Sequence, residues 1–501
     1  MMQTKPRRLS LLACSVLSAA LLAACSTPYQ RPDVQIPTQW AHANAPARSD
    51  AQIMQDVLQD HWWTAFDDPR LNELVELALA RNNDLTAAGW RLRNARLAAG
   101  NALGNRLPSF SGSGSAGASR RLEGDAVTSP TGETGNGWNR SYSASLGASW
   151  ELDLWGKLAS QSRAAQWEAA ATQQDRQAAA QTLVASVLNT YWQLAVAEQK
   201  WLTQQDSLRR AEKTLELAQV QYQAGAISGL DLAQSRQALA GQQSSAEQIA
   251  QQRTELQNAL AILFDAPPGQ LPEAARNPQL PDLGKLPRIA EGVPADVLGR
   301  RPDLQAAEMR LRGTLAQTDA TRASYLPGFS LTSGLGSSSS VLKNVLSNPS
   351  LSLGVGLALP FLNIGEMQRN IATSKNNYEL AVVNFRQTLY KALVDAENAL
   401  SNRQHLLRQW QLQQQARDQA VRVEQLTEVR YRSGAASLKQ WLDAQEARRS
   451  AELAVRDAAL ARLQNHVALY QALGGSPVLP ELPALDTNRN QSTSVIQSEK
   501  P

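Results

Sequence analysis

Enzyme chemistry needs nucleophiles, acids and bases that can be brought together, and this chain offers few of them. Its histidines, His42, His61, His405 and His466, are isolated, and no Cys/His spacing suggests a metal site. No Ser, His and Asp set can be nominated, so the reading is not an enzyme, with no catalytic, metal or cofactor-binding residues. Gly112-Ser113-Gly114-Ser115-Ala116-Gly117 fits the dinucleotide spacing G-x-G-x-x-G literally. It sits inside a Gly/Ser alternation and leads to Arg120-Arg121-Leu122 rather than to a helix, so it fails the context test for that motif. What remains is two cysteines, Cys14 and Cys25, and a few carboxylates at helix ends.

Cys25 closes an apolar run, Leu9 to Ala24, that follows Lys5, Arg7 and Arg8. That layout is a signal peptide, too short and wrongly flanked for a spanning helix. The run ends in Leu22-Ala23-Ala24-Cys25, which resembles a bacterial lipobox; on that resemblance Cys25 becomes the lipidated first residue of the mature chain. Leu11-Leu12-Ala13-Cys14 has the same local form but leaves almost no apolar run before it. Ordinary secretion with an incidental cysteine is the competing reading. With Cys14 gone the mature chain has a single cysteine and no disulfide partner. Ser26 follows, and the rule that aspartate there retains lipoproteins in the inner membrane implies outer-membrane sorting. Loss of the three basic residues takes the formal charge from +4 to about +1, so a basic nucleic-acid surface is not supported.

The elements that must carry any function are long. Lys157 to Ala224 and Glu366 to Ser433 contain neither glycine nor proline, and they stop at Gly225 and Gly434. At 1.5 Å per residue each is a rod of roughly 100 Å, far beyond the three or four turns usual in globular domains. Composition, 43% hydrophobic and 19% charged, excludes both a membrane helix bundle and a disordered chain.

The two rods belong to an internal repeat. Asn83-Asp84-Leu85 is echoed by Pro302-Asp303-Leu304, Arg91-Leu92-Arg93 by Arg310-Leu311-Arg312, and Leu107-Pro108-Ser109-Phe110 by Leu326-Pro327-Gly328-Phe329. Trp155-Gly156 matches Ile364-Gly365, Asn189 matches Asn398, and Tyr222…Gly225-Ala226 matches Tyr431…Gly434-Ala435, at an offset ten residues smaller. One loop between strands is therefore shorter in the second copy. Before each rod the apolar residues alternate: Tyr142, Ala144, Leu146, Ala148, Trp150, Leu152 and Leu154, then Leu351, Leu353, Val355, Leu357, Leu359 and Phe361. Period two gives one apolar face and one polar or small face. Phe110 to Ser119 alternates weakly; Phe329, Leu331 and Leu335 alternate better. Each strand has about the length that crosses a membrane as tilted β, with Gly/Ser/Asn-rich loops at about Arg120–Arg140 and Gly336–Pro349. Surface hairpins on a soluble domain are the alternative. Four strands cannot close a barrel and an open edge is not tolerated in lipid, so strands in a membrane must be shared between copies of the chain.

In the first rod Val187, Leu194, Trp201, Leu208, Leu215 and Tyr222 recur every seven residues, with Ala197, Ala211 and Ala218 beside them, which is coiled-coil spacing. Leu393, Leu400, Leu407 and Val421 do the same in the second, interrupted by Gln414. The return helix Ser437–Leu473 and the short helix Asp303–Tyr325 together match one rod in length.

Lipobox, duplication and local motifs together resemble the outer-membrane efflux protein family, TolC-like, and within it the NodT-like lipoprotein channels of resistance-nodulation-division (RND-type) systems. The residues that carry this are Arg300-Arg301-Pro302-Asp303-Leu304, Leu107-Pro108, Leu326-Pro327, Asp153-Leu154-Trp155-Gly156-Lys157, Tyr222…Gly225, and Tyr431…Gly434…Ser437…Leu442-Asp443-Ala444-Gln445. The resemblance implies an α+β membrane protein whose four transmembrane strands per chain join a shared trimeric 12-strand β-barrel, continued by a 12-helix coiled-coil barrel. It implies a homotrimer in outer-membrane lipid that works with a periplasmic adaptor (membrane fusion) protein and an inner-membrane RND-type transporter to export small toxic compounds, without nucleic acid. It puts the periplasmic entrance at the hairpin tips, with Tyr222, Gly225, Asp231, Tyr431, Gly434 and Asp443 as gate candidates. Asp231 and Asp443 are read as standing at matching positions, while Gln440, after Lys439, occupies a place often acidic in relatives. A duct for type I protein secretion and an anchored coiled coil without a lumen remain as other readings.

The division expected is a signal peptide at 1–24, a lipidated extended segment at 25–66, a first copy at 67–264 and a proline-rich linker at 265–302. A second copy follows at 303–473, then a tail at 474–501 expected to be partly disordered. The strands are expected at about 107–153 and 326–361, and the helical hairpins at about 156–264 and 365–473, with tips near 225 and 434.

Overall fold

The computed structural model describes residues 27–35, 61–120, 138–286 and 295–479. Cys25, the stretch 1–24 and the end of the tail lie outside the described residues. In chain order the main elements are α1 (Pro69–Arg81), α2 (Asn83–Gly104), β1 (Ser109–Ser119), β2 (Asn139–Leu152), α3 (Lys157–Gln223), α4 (Gly229–Ile262), α5 (Pro302–Ala323), β3 (Gly328–Ser339), β4 (Ser350–Ala358), α6 (Ile364–Arg432) and α7 (Leu438–Ala472). Both rods form as single helices, α3 of 67 residues and α6 of 69. Among the described residues no helix is long and apolar enough to cross a membrane. The chain divides into two compact units, and each draws on both copies of the repeat.

The first unit holds residues 27–35, 91–120, 138–175 and 302–392 of those described. Its centre is a four-stranded antiparallel sheet in the order β1-β2-β3-β4. The register sorts the faces. Leu146 lies opposite Leu335, which lies opposite Leu351, and Trp150, Leu331 and Val355 form a second such row. On the other face Ser113, Ser145 and Gly336 line up, as do Ser149, Thr332 and Gly354. The Ser113 and Ser145 hydroxyls are 2.8 Å apart, as are those of Ser115 and Ser143. Glycine alternates with serine there because a Cβ on Gly354 would stand 2.7 Å from the Thr332 hydroxyl. The strand β3 runs on through Gly336 to Ser339, which the sequence reading gave to a loop; a run of serines carries no alternation to read.

Strand-to-helix corners are pinned by tryptophan. Trp150 Nε1 donates to the Arg106 carbonyl at 3.0 Å and Trp155 Nε1 to the Pro327 carbonyl at 2.7 Å. Asp153 then caps α3, accepting from the Leu158 and Ala159 N–H groups at 3.0 and 2.7 Å, with Gly156 at φ 72° making the bend. Residues 27–35 carry neither helix nor strand and are held by α5, while Trp62–Phe66, inside the stretch expected to be extended, forms a 3-10 turn. Thr27 gives its N–H and its hydroxyl to the two oxygens of buried Asp319, at 2.9 and 2.7 Å. The Arg312 guanidinium lies 4.4 Å from the Tyr29 ring centre and 5.2 Å from that of Trp167. Burial, with Glu308 alongside, pushes the Tyr29 hydroxyl up to about 12.

The second unit holds residues 61–90, 176–286, 295–301 and 393–479 of those described. Its core is aromatic: Trp62 stacks on Tyr470 at 4.5 Å, and Phe66 meets Trp192 edge-on at 4.9 Å. Asp68 caps α1, with Pro69 in the first turn, and Leu71, Leu74, Val75 and Ala78 are buried at the spacing the sequence predicts. Arg301 is buried and bonds Asp395 at 3.3 Å, which gives the second arginine of the Arg300–Leu304 motif a structural task. Gly474, at φ 83°, lies against the Arg300–Arg301 backbone.

The heptad reading needs one correction. Along α3 the most buried line is Ala197, Gln204, Ala211 and Ala218, whereas Leu208 and Leu215 are half-buried and Tyr222 is exposed. Small residues let the helices approach closely, and the buried Gln204 amide fits because it donates to the Gln242 carbonyl and side-chain oxygen at 2.8 and 2.9 Å.

Candidate functional site

Each rod ends in the same turn. Past Gln223 the Gly225 N–H donates to the Tyr222 carbonyl and the Ala226 N–H to that of Gln221, with Gly225 at φ 71°. Past Arg432 the Gly434 N–H donates to Tyr431 and the Ala435 N–H to Arg430, with Gly434 at φ 77°. These are paired helix-end bonds with a left-handed glycine, which satisfy carbonyls the helix leaves over. The return helices then open on capping boxes: Ser228 with Asp231 for α4, and Ser437 with Gln440 for α7.

The capping boxes overturn one expectation. Asp231 corresponds to Gln440, not to Asp443, because both fill the third position of their boxes. Its carboxylate accepts from the Ser228 N–H at 3.0 Å and the Ser228 hydroxyl at 2.7 Å. Asp443 lies one turn further along and pairs with Lys439 at 2.7 Å. The two aspartates match by residue type alone, whereas the cap geometry pairs residues by place.

Tyr222 and Tyr431 do correspond, but only one is engaged. Tyr222 is exposed and leaves its ring near Gly229. Tyr431 stacks on Trp441 with ring centres 5.1 Å apart, and its hydroxyl donates to Gln221 Oε1 at 2.8 Å. Burial, against the pull of the Gln221 bond, holds the Tyr431 hydroxyl above its usual range. Ala218, Leu232, Leu438 and Trp441 are buried together beneath it, with Leu215, Ile227 and Leu442 around them. The cluster thus joins residues of α3, α4 and α7, and Tyr431 adds α6. Sequence reading missed Gln221, Leu438 and Trp441; the signal available was a tryptophan one turn inside a capped helix of Gln and Ala.

Above the tip lies a polar groove of about 550 Å³. Arg448 bonds buried Glu424 at 3.3 Å and Glu452 at 2.9 Å, and Gln242 donates to Glu446 at 3.2 Å. Burial opposes ionisation of Glu446, but Arg449, Gln242 and Ser450 outweigh it and hold that carboxyl below its usual range. Asp206, Arg210, Asp443 and Lys439 complete the charged lining. Among the described residues no group of His, Cys, Asp and Glu is placed to hold a metal ion.

Paired rods, a sheet with one apolar face and a double tip define a class of duplicated strand-and-helical-hairpin proteins, and comparison with known proteins gives the family. The outer membrane efflux protein family matches residues 74–264 and 293–475, and the chain belongs to it. It is an outer-membrane protein of an efflux family. The pyoverdine export outer membrane protein OpmQ of Pseudomonas putida is 36% identical over 474 residues, 94% of this chain and 98% of that one. The antibiotic efflux pump outer membrane protein ArpC of Pseudomonas putida is 31% identical over 477 residues, covering 93% and 95%. The crystal structure of the Campylobacter jejuni CmeC outer membrane channel superposes with a TM-score of 0.78 at 25% identity, covering 90% of this chain and 94% of that one.

Proposed function

We propose that the chain is the outer-membrane exit duct of a tripartite efflux system, passively releasing small toxic compounds that an inner-membrane RND-type pump delivers through a periplasmic adaptor. The observation that carries this is the sheet: one face of Leu, Val and Trp, the other of Ser, Gly and Thr, with both edge strands unpaired among the described residues of the chain. Such a sheet suits a barrel wall with lipid outside and water inside, and it calls for further copies to close it. A trimer of four strands each, twelve in all, is the assembly we assign. Cys25 carries the covalent lipid. Support for the anchor comes from Thr27, two residues later, fixed to Asp319 on the helix that feeds β3.

The periplasmic gate is the double tip. Gly225 and Gly434 shape it, Tyr431 with Gln221 and Trp441 holds it shut, and Asp443 with Lys439 presents charge beside it, while Tyr222 stays free to meet the adaptor. Asp231 serves the gate by fixing the start of α4. OpmQ and ArpC are named for different cargoes, which supports a duct whose pump selects the substrate. The test is conductance in a planar bilayer. Purified protein should conduct weakly at rest, and strongly once the Tyr431 and Trp441 contacts are removed. A sealed bilayer in both cases would favour an anchored coiled coil without a lumen.

A further inference from the structure

The duplication fixes how two copies of the chain join. Among the described residues of one chain the outer edges of β1 and β4 have no strand beside them; β1 is exposed along its whole length and β4 nearly so. Residues of β1 map onto β3 by an offset of 219, as Leu107-Pro108 recurs at Leu326-Pro327. Residues of β2 map onto the β4 region by 209, as Trp155-Gly156 recurs at Ile364-Gly365. Applied to the pair Ser109 and Ser149, these offsets give Gly328 and Ala358, which is the pair found between β3 and β4. The two hairpins therefore share one register, residue for residue.

The junction between the hairpins, β2 with β3, can recur only as β4 with β1 of the next copy. The same offsets carry Leu146 opposite Leu335 into Val355 opposite Ala116, and Gly147 opposite Gly334 into Gly356 opposite Ser115. We propose that β4 of one copy pairs antiparallel with β1 of a second copy in this register. Leu353, Val355 and Leu357 then lie beside Ala118, Ala116 and Gly114, while Gly354 and Gly356 lie beside Gly117 and Ser115. This rests on the barrel reading above and adds the seam that closes it.

Two observations independent of the offsets agree. The derived register keeps the apolar face continuous across the seam, and a slip of one residue would turn Leu353, Val355 and Leu357 onto the Ser/Gly face. The three large side chains of β4 also meet only alanine and glycine on β1, so the strands can close without crowding. A slip of two residues would keep the faces, and only the duplication excludes it.

Cysteine cross-linking decides the register. In full-length protein in outer membranes, Gly356→Cys with Ser115→Cys, and separately Val355→Cys with Ala116→Cys, are oxidised with copper–phenanthroline and resolved without reductant. Opposite residues of antiparallel strands alternate between about 4.5 and 5.5 Å Cα separation, so at least one of these pairs is in disulfide reach. The Val355 and Ala116 pair also guards against a fold defect at Gly356, whose added Cβ would meet the Ser330 hydroxyl. Covalent oligomers are expected from these pairs, with each single-cysteine variant staying monomeric. Gly356→Cys with Ser113→Cys or with Gly117→Cys should link at least about ten-fold less. Stronger linking in either displaced combination overturns the register and leaves the barrel standing. No linking in any combination, in protein that also fails to conduct, means that the barrel reading itself is wrong.

Discussion

Replacing Trp441 with alanine tests the closed tip most directly. Trp441 is buried with Ala218, Leu232 and Leu438 and stacks on Tyr431, so any motion that parts the two hairpin ends must break the cluster. A buried tryptophan cut to alanine costs about 3–5 kcal/mol. The lower end applies here, because the indole N–H is buried without an acceptor among the described residues and its removal relieves about 1 kcal/mol. About 3 kcal/mol is roughly a hundredfold in the ratio of open to closed tips. Tyr431→Phe loses only the bond to Gln221, about 1 kcal/mol or about five-fold. Single-channel recording at rest, ranked wild type, Tyr431→Phe, Trp441→Ala, should show open probability rising in that order. Equal resting conductance in all three, from protein that still forms barrels, would refute a gate held by this cluster.

Two further outcomes follow from other parts of the chain. Gly434→Ala should cost about 1 kcal/mol in thermal or denaturant unfolding, because φ is 77° while the space around the missing Cβ is empty, so only backbone strain is added. His466 is buried, and burial followed by Arg403 and Arg462 pushes its pKa down from 6.5 to about 4. The folded protein therefore keeps this imidazole neutral, and its contribution is present above pH 6.5 and lost as pH falls toward 4. Between pH 7 and pH 5 wild type should lose about 2 kcal/mol more than His466→Gln in denaturant titrations; equal losses would place His466 in contact with water.

Long-range order was legible where composition is uniform. The rods showed themselves because glycine and proline are absent for over sixty residues, and they end where Gly225 and Gly434 permit a left-handed turn. The strands showed where Leu, Val and Trp alternate with small residues, and faded where both faces are small, as in β1 and the end of β3. Asp231 was misplaced for a physical reason: a carboxylate looks the same in sequence whether it caps a helix or faces a solute, and only the bonds to Ser228 tell them apart. The Gln204 to Gln242 link and the Arg448 to Glu424 pair were out of reach, since each joins helices through contacts that no local pattern encodes. The hold of Thr27 on Asp319 spans 292 residues and is equally silent in sequence.

The paired turns at the tips have a thermodynamic consequence. Both ends of each turn are already closed, by the left-handed glycine on one side and the capping box on the other, leaving five residues between Gln223 and Gly229 with little backbone freedom to gain. Nothing there can melt at small cost, as a loose loop would. Opening of the gate proposed above would therefore draw its entropy from water and side chains rather than from an unravelling backbone. The temperature dependence of gating should then be gradual, set by the apolar area that Trp441 and its neighbours expose, instead of the sharp onset of a loop that unfolds.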